Sequence, residues 1–215
     1  MATSAGDTAV KISRSERKRL ETRAKIISAA IELLCSRPLD ELTIAEITEA
    51  ADVGHGTFYL HFKSKHDVMV PIFQEKAKHW DAKIHEGSEA LDDPAAAVSR
   101  STRFIARMIL ADTLCRRFLR DSGFPLGEVR DALGSFIARD IRLGVEAGRF
   151  QTQDLDLTAR YLMGGAVACL MNVGDMPDPE AQIDSLAELM LCALGVPVQE
   201  AREISRGPLP ELDIS

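Results

Sequence analysis

LTIAEITEAADVGHGTFYLHFKSKHDV, residues 42–68, decides the reading of this chain. Thr43 followed three residues later by Glu46 is a capping box, and Leu42 and Ile47 stand where a hydrophobic staple closes over it. The spacing predicts a short helix from Ile44 to about Ala50. It stops at Ala51-Asp52-Val53-Gly54, where Asp or Gly takes a left-handed backbone with little strain. A second short helix is predicted from His55 to about Phe62, with Phe58 and Phe62 one turn apart on its inner face. Ser64 and Asp67 repeat the capping pattern and open a longer helix through Lys65, Val68, Ile72 and Lys76 toward Ile84. Pro71 falls inside it and is expected to kink that helix or relax its first turns.

Upstream, Leu20, Ala24, Ile27, Ile31 and Leu34 recur at helical spacing, which predicts a helix from about Ser15 to Ser36 that ends before Pro38. Residues 1–10 are small and polar, with nothing to bury, and read as a disordered leader. Downstream of a polar break at Gly87 to Pro94, helical segments are predicted at about 95–121, 127–147, 155–173 and 179–194. Gly123, Pro125, Gly148, Gly174, Pro177 and Pro197 punctuate them. No alternating strand pattern stands out. The expected fold is all-α: a helix-turn-helix head over 11–66, a helical body over 67–198, and a loose tail over 199–215.

A net charge of −7 argues against a partner made of phosphates until it is divided along the chain. Residues 11–25 carry seven Lys and Arg against two Glu, whereas residues 67–215 carry 16 basic against 24 acidic residues. Phosphate would repel the body, so any DNA contact is expected at the head. The stretch Tyr161–Gly174 is too short to cross a bilayer, and the N-terminus lacks a signal peptide's apolar run, so the chain is expected in the cytoplasm and off the membrane. Cys35, Cys115, Cys169 and Cys192 are widely spaced, as reduced core thiols would be. The five histidines show no metal-ligand spacing, and no nucleophile-base pair, carboxylate dyad or phosphate-cradling glycine loop can be assembled. Neither an enzyme, a metal site nor a cofactor is expected.

Two short helices joined by a tight turn, immediately after a basic helix, form the arrangement that sets a second helix in the DNA major groove while the first braces it. Thr43, Gly56, Thr57 and Lys65, at or near helix N-termini, place backbone N–H groups, a hydroxyl and an ammonium where a phosphate can bind. Thr43, Ala45 with Ile47, Ala51-Asp52-Val53, Gly56-Thr57-Phe58-Tyr59, Phe62 and Ser64-Lys65 together resemble the DNA-binding signature of the TetR family of repressors. The resemblance is strong over residues 15–70. Farther on it rests on the helical architecture and on Glu146-Ala147-Gly148-Arg149-Phe150, similar to the family's bend before its last two helices. Asp52 replaces the usual turn glycine, and Gly54 the usual Ser or Thr cap.

The resemblance implies that Thr43, Tyr59, His61 and Lys65 contact phosphates, while His55, Gly56 and Thr57 approach base edges of a double-stranded operator. Lys11, Arg14 and Arg17 would form an arm toward the adjacent minor groove. In the body, small residues along Tyr161–Cys169, with Ile183, Leu186, Leu189, Met190 and Ala193 on the last helix, suggest a four-helix homodimer interface. A dimer would read an approximate palindrome. A pocket for an apolar small-molecule effector is expected among Phe104, Met108, Phe118, Phe124, Phe136 and Met163, with Arg107 or Arg103 as polar anchor. Occupancy would be relayed through the Pro71 helix and relieve repression if the ligand prefers the spread form. The competing reading is a helical protein-interaction module that keeps this fold without operator binding; Asp52 and the acidic total are its support.

Overall fold

The computed structural model describes residues 13–86, 93–120 and 137–209, apart from the side chains at 85, 86 and 118. Among these the secondary structure is entirely helical, without strands. The chain divides into two compact units, one ending at Val68 and the next beginning at Met69.

The first unit opens with α1 (Arg14–Ser36), started by a capping box of Ser13 and Glu16. Its buried face is Ile26, Ala29, Ala30 and Leu34, which differs from the predicted stripe. Leu34 belongs to both, and Ile27 and Ile31 are half-buried, but Ala24 is exposed and Leu20 is 56% exposed. The reason is local: residues 13–21 find no cover, and only the C-terminal half of α1 packs on α2 (Ile44–Ala50), where two consecutive alanines permit close approach.

The second capping box forms as the spacing predicts: Glu46 N–H donates to Thr43 Oγ1 at 3.2 Å, and Thr43 N–H to the Glu46 carboxylate at 2.8 Å. Asp52 takes φ +52° in the turn, and α3 (His55–Tyr59) follows, with Phe58 fully buried. Regular α-helix ends three residues before the predicted Phe62, yet Phe62 N–H still reaches the Phe58 carbonyl at 2.9 Å. The Asp67 carboxylate then accepts the N–H groups of Lys63 and Ser64, and a 3-10 turn, His66–Val68, closes the unit.

In the second unit α4 spans Met69–Glu86. Pro71 lies in its first turn, where a backbone N–H would have no intrahelical acceptor and the helix tolerates a proline. The segment predicted as one helix over 95–121 is two, α5 (Pro94–Ala111) and α6 (Thr113–Arg120). Asp112 breaks it by turning extended: its carboxylate accepts the N–H groups of Leu114 and Cys115 and takes Lys76 Nζ at 2.5 Å.

Residues 137–146 form the described part of α7. It ends at Gly148, whose φ of +69° suits glycine, and the chain turns back to bury Phe150. Helices α8 (Leu155–Leu170) and α9 (Pro179–Ala193) follow. The residues expected to trail as a tail instead include α10 (Val198–Arg206), packed on α5 and α9 with Ala201 and Ser205 buried. Two arginines tie this end down. Buried Arg103 donates to Asp184 at 2.8 Å and to the Gly207 carbonyl at 2.9 Å; Arg149 bridges Asp93 and Glu200.

A Cβ on Gly144 would fall inside the Phe150 ring. Gly144→Ala should therefore destabilise the second unit by about 1–3 kcal/mol, read as an earlier denaturant transition in the fluorescence of buried Trp80; an unchanged midpoint refutes the tight contact. In the first unit the Thr43 amide, with Arg37 and the Thr43 hydroxyl, holds Glu46 down to about 2 from 4.5. A depressed carboxyl stabilises the fold fully above its unfolded value and loses that contribution as pH falls from about 4.5 toward 2. Glu46→Gln should be less stable at pH 7 and lack this component of the acid-induced loss; a wild-type acid profile would contradict the box.

Candidate functional site

The outer surface of α3 is set by what its inner surface buries. Phe58 and Phe62 face the core, Phe62 with Arg23 above its ring at 5.2 Å. His55, Gly56 and Tyr59 consequently face outward, while Thr57 is half-buried. Tyr59 is 51% exposed, its ring steadied edge-on by His55 at 5.3 Å and Phe58 at 5.6 Å. Nothing lies within 4 Å of a Cβ position on Gly56, so another backbone can approach there without a side chain between. Next to this surface stands Leu60, 73% exposed, which periodicity did not single out because one leucine beside two core phenylalanines reads as core.

The phosphate-class residues divide by how much hydrogen-bonding capacity they retain. Tyr59 keeps an outward phenol, and His61 is half-buried. Burial, with Arg19 and Arg23 nearby, pushes His61 below the usual imidazole range. The Thr43 hydroxyl is engaged by Glu46, both giving and accepting a hydrogen bond in the cap. Lys65 Nζ donates to the carbonyls of Leu39 (2.8 Å), Asp40 (3.0 Å) and Leu42 (3.0 Å). An ammonium has three hydrogens, so Lys65 locks the turn that positions Thr43, and a phosphate would meet its charge rather than a free donor. Lys11 lies outside the described residues; Arg14 and Arg17 are exposed on the first turn of α1.

The second unit contains a cavity of about 60 Å³ between its helices. Phe73 and Ile84 of α4, Ile105 and Ile109 of α5, and Leu119 of α6 form one part of the wall. Met163 and Val167 of α8, with Leu186 and Met190 of α9, form another. The polar contributors are Asp81, Ser101, Thr102 and Asp140. Of the predicted pocket residues, Met163 lines this cavity. Phe104 is buried elsewhere in the core, Met108 is half-buried outside the wall, and the Phe118 side chain, Phe124 and Phe136 lie outside the described residues. Arg107 is engaged by Glu180 at 2.5 Å and Asp184 at 3.4 Å, and Arg103 by Asp184, so neither candidate anchor belongs to the wall. Asp81 and Asp140, 59 positions apart, carried no sequence signal that would pair them.

Comparison with known proteins bears on both units. Residues 26–70 match the family described as bacterial regulatory proteins, tetR family, and residues 93–207 match the tetracyclin repressor-like C-terminal domain. The structure of RolR in complex with resorcinol is 33% identical and superposes with a TM-score of 0.82, covering 92% of this chain and 99% of that one. FadR of Thermus thermophilus, in complex with lauroyl-CoA, is 20% identical with a TM-score of 0.69 over 88% and 99% of the two chains, a likeness of fold alone. The fatty acid metabolism regulator protein of Bacillus subtilis is 23% identical over 176 residues, 78% of this chain and 90% of its own length. Regulators, not enzymes, make up these relatives. An exposed α3 on a capped brace helix, followed by a body that matches the family's own C-terminal domain, places the chain in the TetR family of DNA-binding transcriptional regulators.

Proposed function

We propose that the chain is a ligand-responsive repressor that binds an approximately palindromic operator as a homodimer in the cytoplasm and is released by a compact, largely apolar inducer. The observation that carries the DNA half is the outward set of His55, Gly56 and Tyr59 on α3, with half-buried Thr57 among them, held in place by buried Phe58. His55, Gly56 and Thr57 approach base edges, and Tyr59 and His61 take phosphates, with Thr43 and Lys65 supporting them through the cap and the locked turn.

The cavity supports the inducer half. It lies among the helices of the second unit, and one wall belongs to α4, whose first residue directly follows the last residue of the head. A molecule that prefers one arrangement of α4 shifts the population of the attached head; one that binds all arrangements equally changes nothing. A cavity of about 60 Å³ is smaller than one that takes a benzene ring, so a single ring enters only as the surrounding helices move apart, and a long acyl chain is disfavoured further; RolR is seen with resorcinol and FadR with lauroyl-CoA.

Dimerisation is supported by what the second unit leaves uncovered. Leu162, Ala166, Ile183, Leu186 and Met190, expected at the interface, are buried within the unit. Leu157, Tyr161, Gly164, Ala168, Leu189 and Ala193 are exposed on α8 and α9, and nothing lies within 4 Å of a Cβ position on Gly164 or Gly165. Such a stripe allows a second copy's helices close approach. Among the described residues no helix is long and apolar enough to cross a membrane.

Binding to double-stranded DNA should weaken steeply with salt. Tyr59→Phe should lower affinity evenly across sequences, while Thr57→Ala should also change which sequences are preferred; salt-independent binding would favour a module that has lost operator recognition. Lys65→Ala should lower the head's thermal stability, since it frees three carbonyls, as well as weakening binding. A fully stable Lys65→Ala head with a flattened salt slope would return the residue to a direct phosphate role. The full chain should sediment as a dimer, and a monomer at micromolar concentration rejects the α8–α9 interface.

A further inference from the structure

Among the described residues that line the cavity, the polar ones are Asp81 of α4, Asp140 of α7, and Ser101 and Thr102 of α5. The Thr102 hydroxyl donates to Met190 Sδ at 3.6 Å. The two aspartates are held by one group: Arg139 Nη2 donates to Asp81 at 3.1 Å and to Asp140 at 3.0 Å. Both acceptor oxygens therefore lie within about 6 Å of each other. Arg139 does not itself line the cavity; it fixes the carboxylates from outside the wall. Buried Arg100, which donates to the Ile84 carbonyl, adds a second positive charge that is felt by Asp140.

Resting on the reading of this cavity as the inducer site, we propose that Asp81 and Asp140, fixed by Arg139, form its polar anchor, and that the molecule accepted is a neutral single ring bearing hydroxyl groups. The chemistry follows from what faces inward. Ionised carboxylates only accept hydrogen bonds, so the ligand must donate, and a carboxylate offers about four acceptor positions, so an arginine does not exhaust it. A ligand carboxylate or phosphate would set acceptors against acceptors. A cationic ligand would meet the repulsion of Arg139, which pairs with both aspartates, and of Arg100 near Asp140. A hydroxyl donates without bringing a charge into an apolar cavity, and bonds to ionised acceptors are the stronger kind. Two carboxylates within reach of one ring favour two hydroxyls over one. Ser101 and Thr102 can donate to or accept from the same groups.

Calorimetry on the full chain at neutral pH, with benzene-1,3-diol, phenol, toluene, benzoate and benzylamine as probes, tests this directly. The diol should bind at least about tenfold more tightly than toluene, which carries a methyl group and no hydroxyl, and the anionic benzoate and the cationic benzylamine should bind no more tightly than toluene. Asp81→Asn and Asp140→Asn should each weaken diol binding about tenfold or more. Val167→Trp, which fills the apolar part, should abolish binding of every probe. Equal affinity for diol and toluene overturns the anchor, even if the aspartate variants fail to fold. Unchanged diol affinity in both folded aspartate variants, with binding lost in Val167→Trp, overturns the anchor while leaving the cavity reading intact. Diol binding that survives Val167→Trp overturns the cavity reading itself, and no binding of either hydroxylated ring at millimolar concentration overturns the ligand class.

Discussion

Helices of seven and five residues do not persist in water, where helix nucleation costs more than so few hydrogen bonds return. The head exists because α2 and α3 are folded against each other and against α1 by one tight turn, with Asp52 at φ +52° and Ile47 and Phe58 buried on either side of it. That turn fixes the angle of α3, and the angle decides which side chains point outward. The Thr43–Glu46 capping box, the Asp67 carboxylate and the Lys65 ammonium serve the same end: they satisfy amides and carbonyls at the ends of elements too short to satisfy them internally. Asp carries the left-handed backbone where glycine would be freer, at the cost of some strain and a negative charge near the duplex-facing surface.

The head was legible because its signals are local. A cap and its partner three residues apart, a turn between two periodic runs and two phenylalanines one turn apart all lie within a window that a single sequence displays. The register of α1 was not, since Leu20, Ala24, Ile27 and Ile31 and the adjacent set Ile26, Ala29 and Ala30 are both helically spaced. Packing against α2 and the 3-10 turn at His66–Val68 selects the second. The break at Asp112 carries neither proline nor glycine; it is made by a carboxylate that caps α6 and meets Lys76, 36 residues away. Pro197, Pro208 and Pro210 make the last segment look extended, but Pro197 precedes α10 as a proline can, and the burial of Ala201 and Ser205 depends on α5 and α9.

The cavity was the least legible part. Its position among the body helices could be anticipated. Among the described residues its wall is mostly Ile, Leu and Val, with Met163 the expected member, and Phe104 is buried outside it. Arg103 and Arg107, attractive as ligand anchors, are engaged by Asp184 and Glu180 at the α5–α9 contact. Asp81 and Asp140, proposed as the polar anchor, are brought together by Arg139, which is a tertiary fact. On the proposed reading, a small ligand in a cavity walled partly by α4 shifts the population of that helix's positions.

The central claim is that α3 reads DNA and does so twice. Selection of binding sites by the full chain from random double-stranded DNA tests it most directly. The account predicts enriched sequences containing two inverted half-sites at a fixed separation near one helical turn or a multiple of it. Enrichment of a single unpaired motif, or of none, would contradict it.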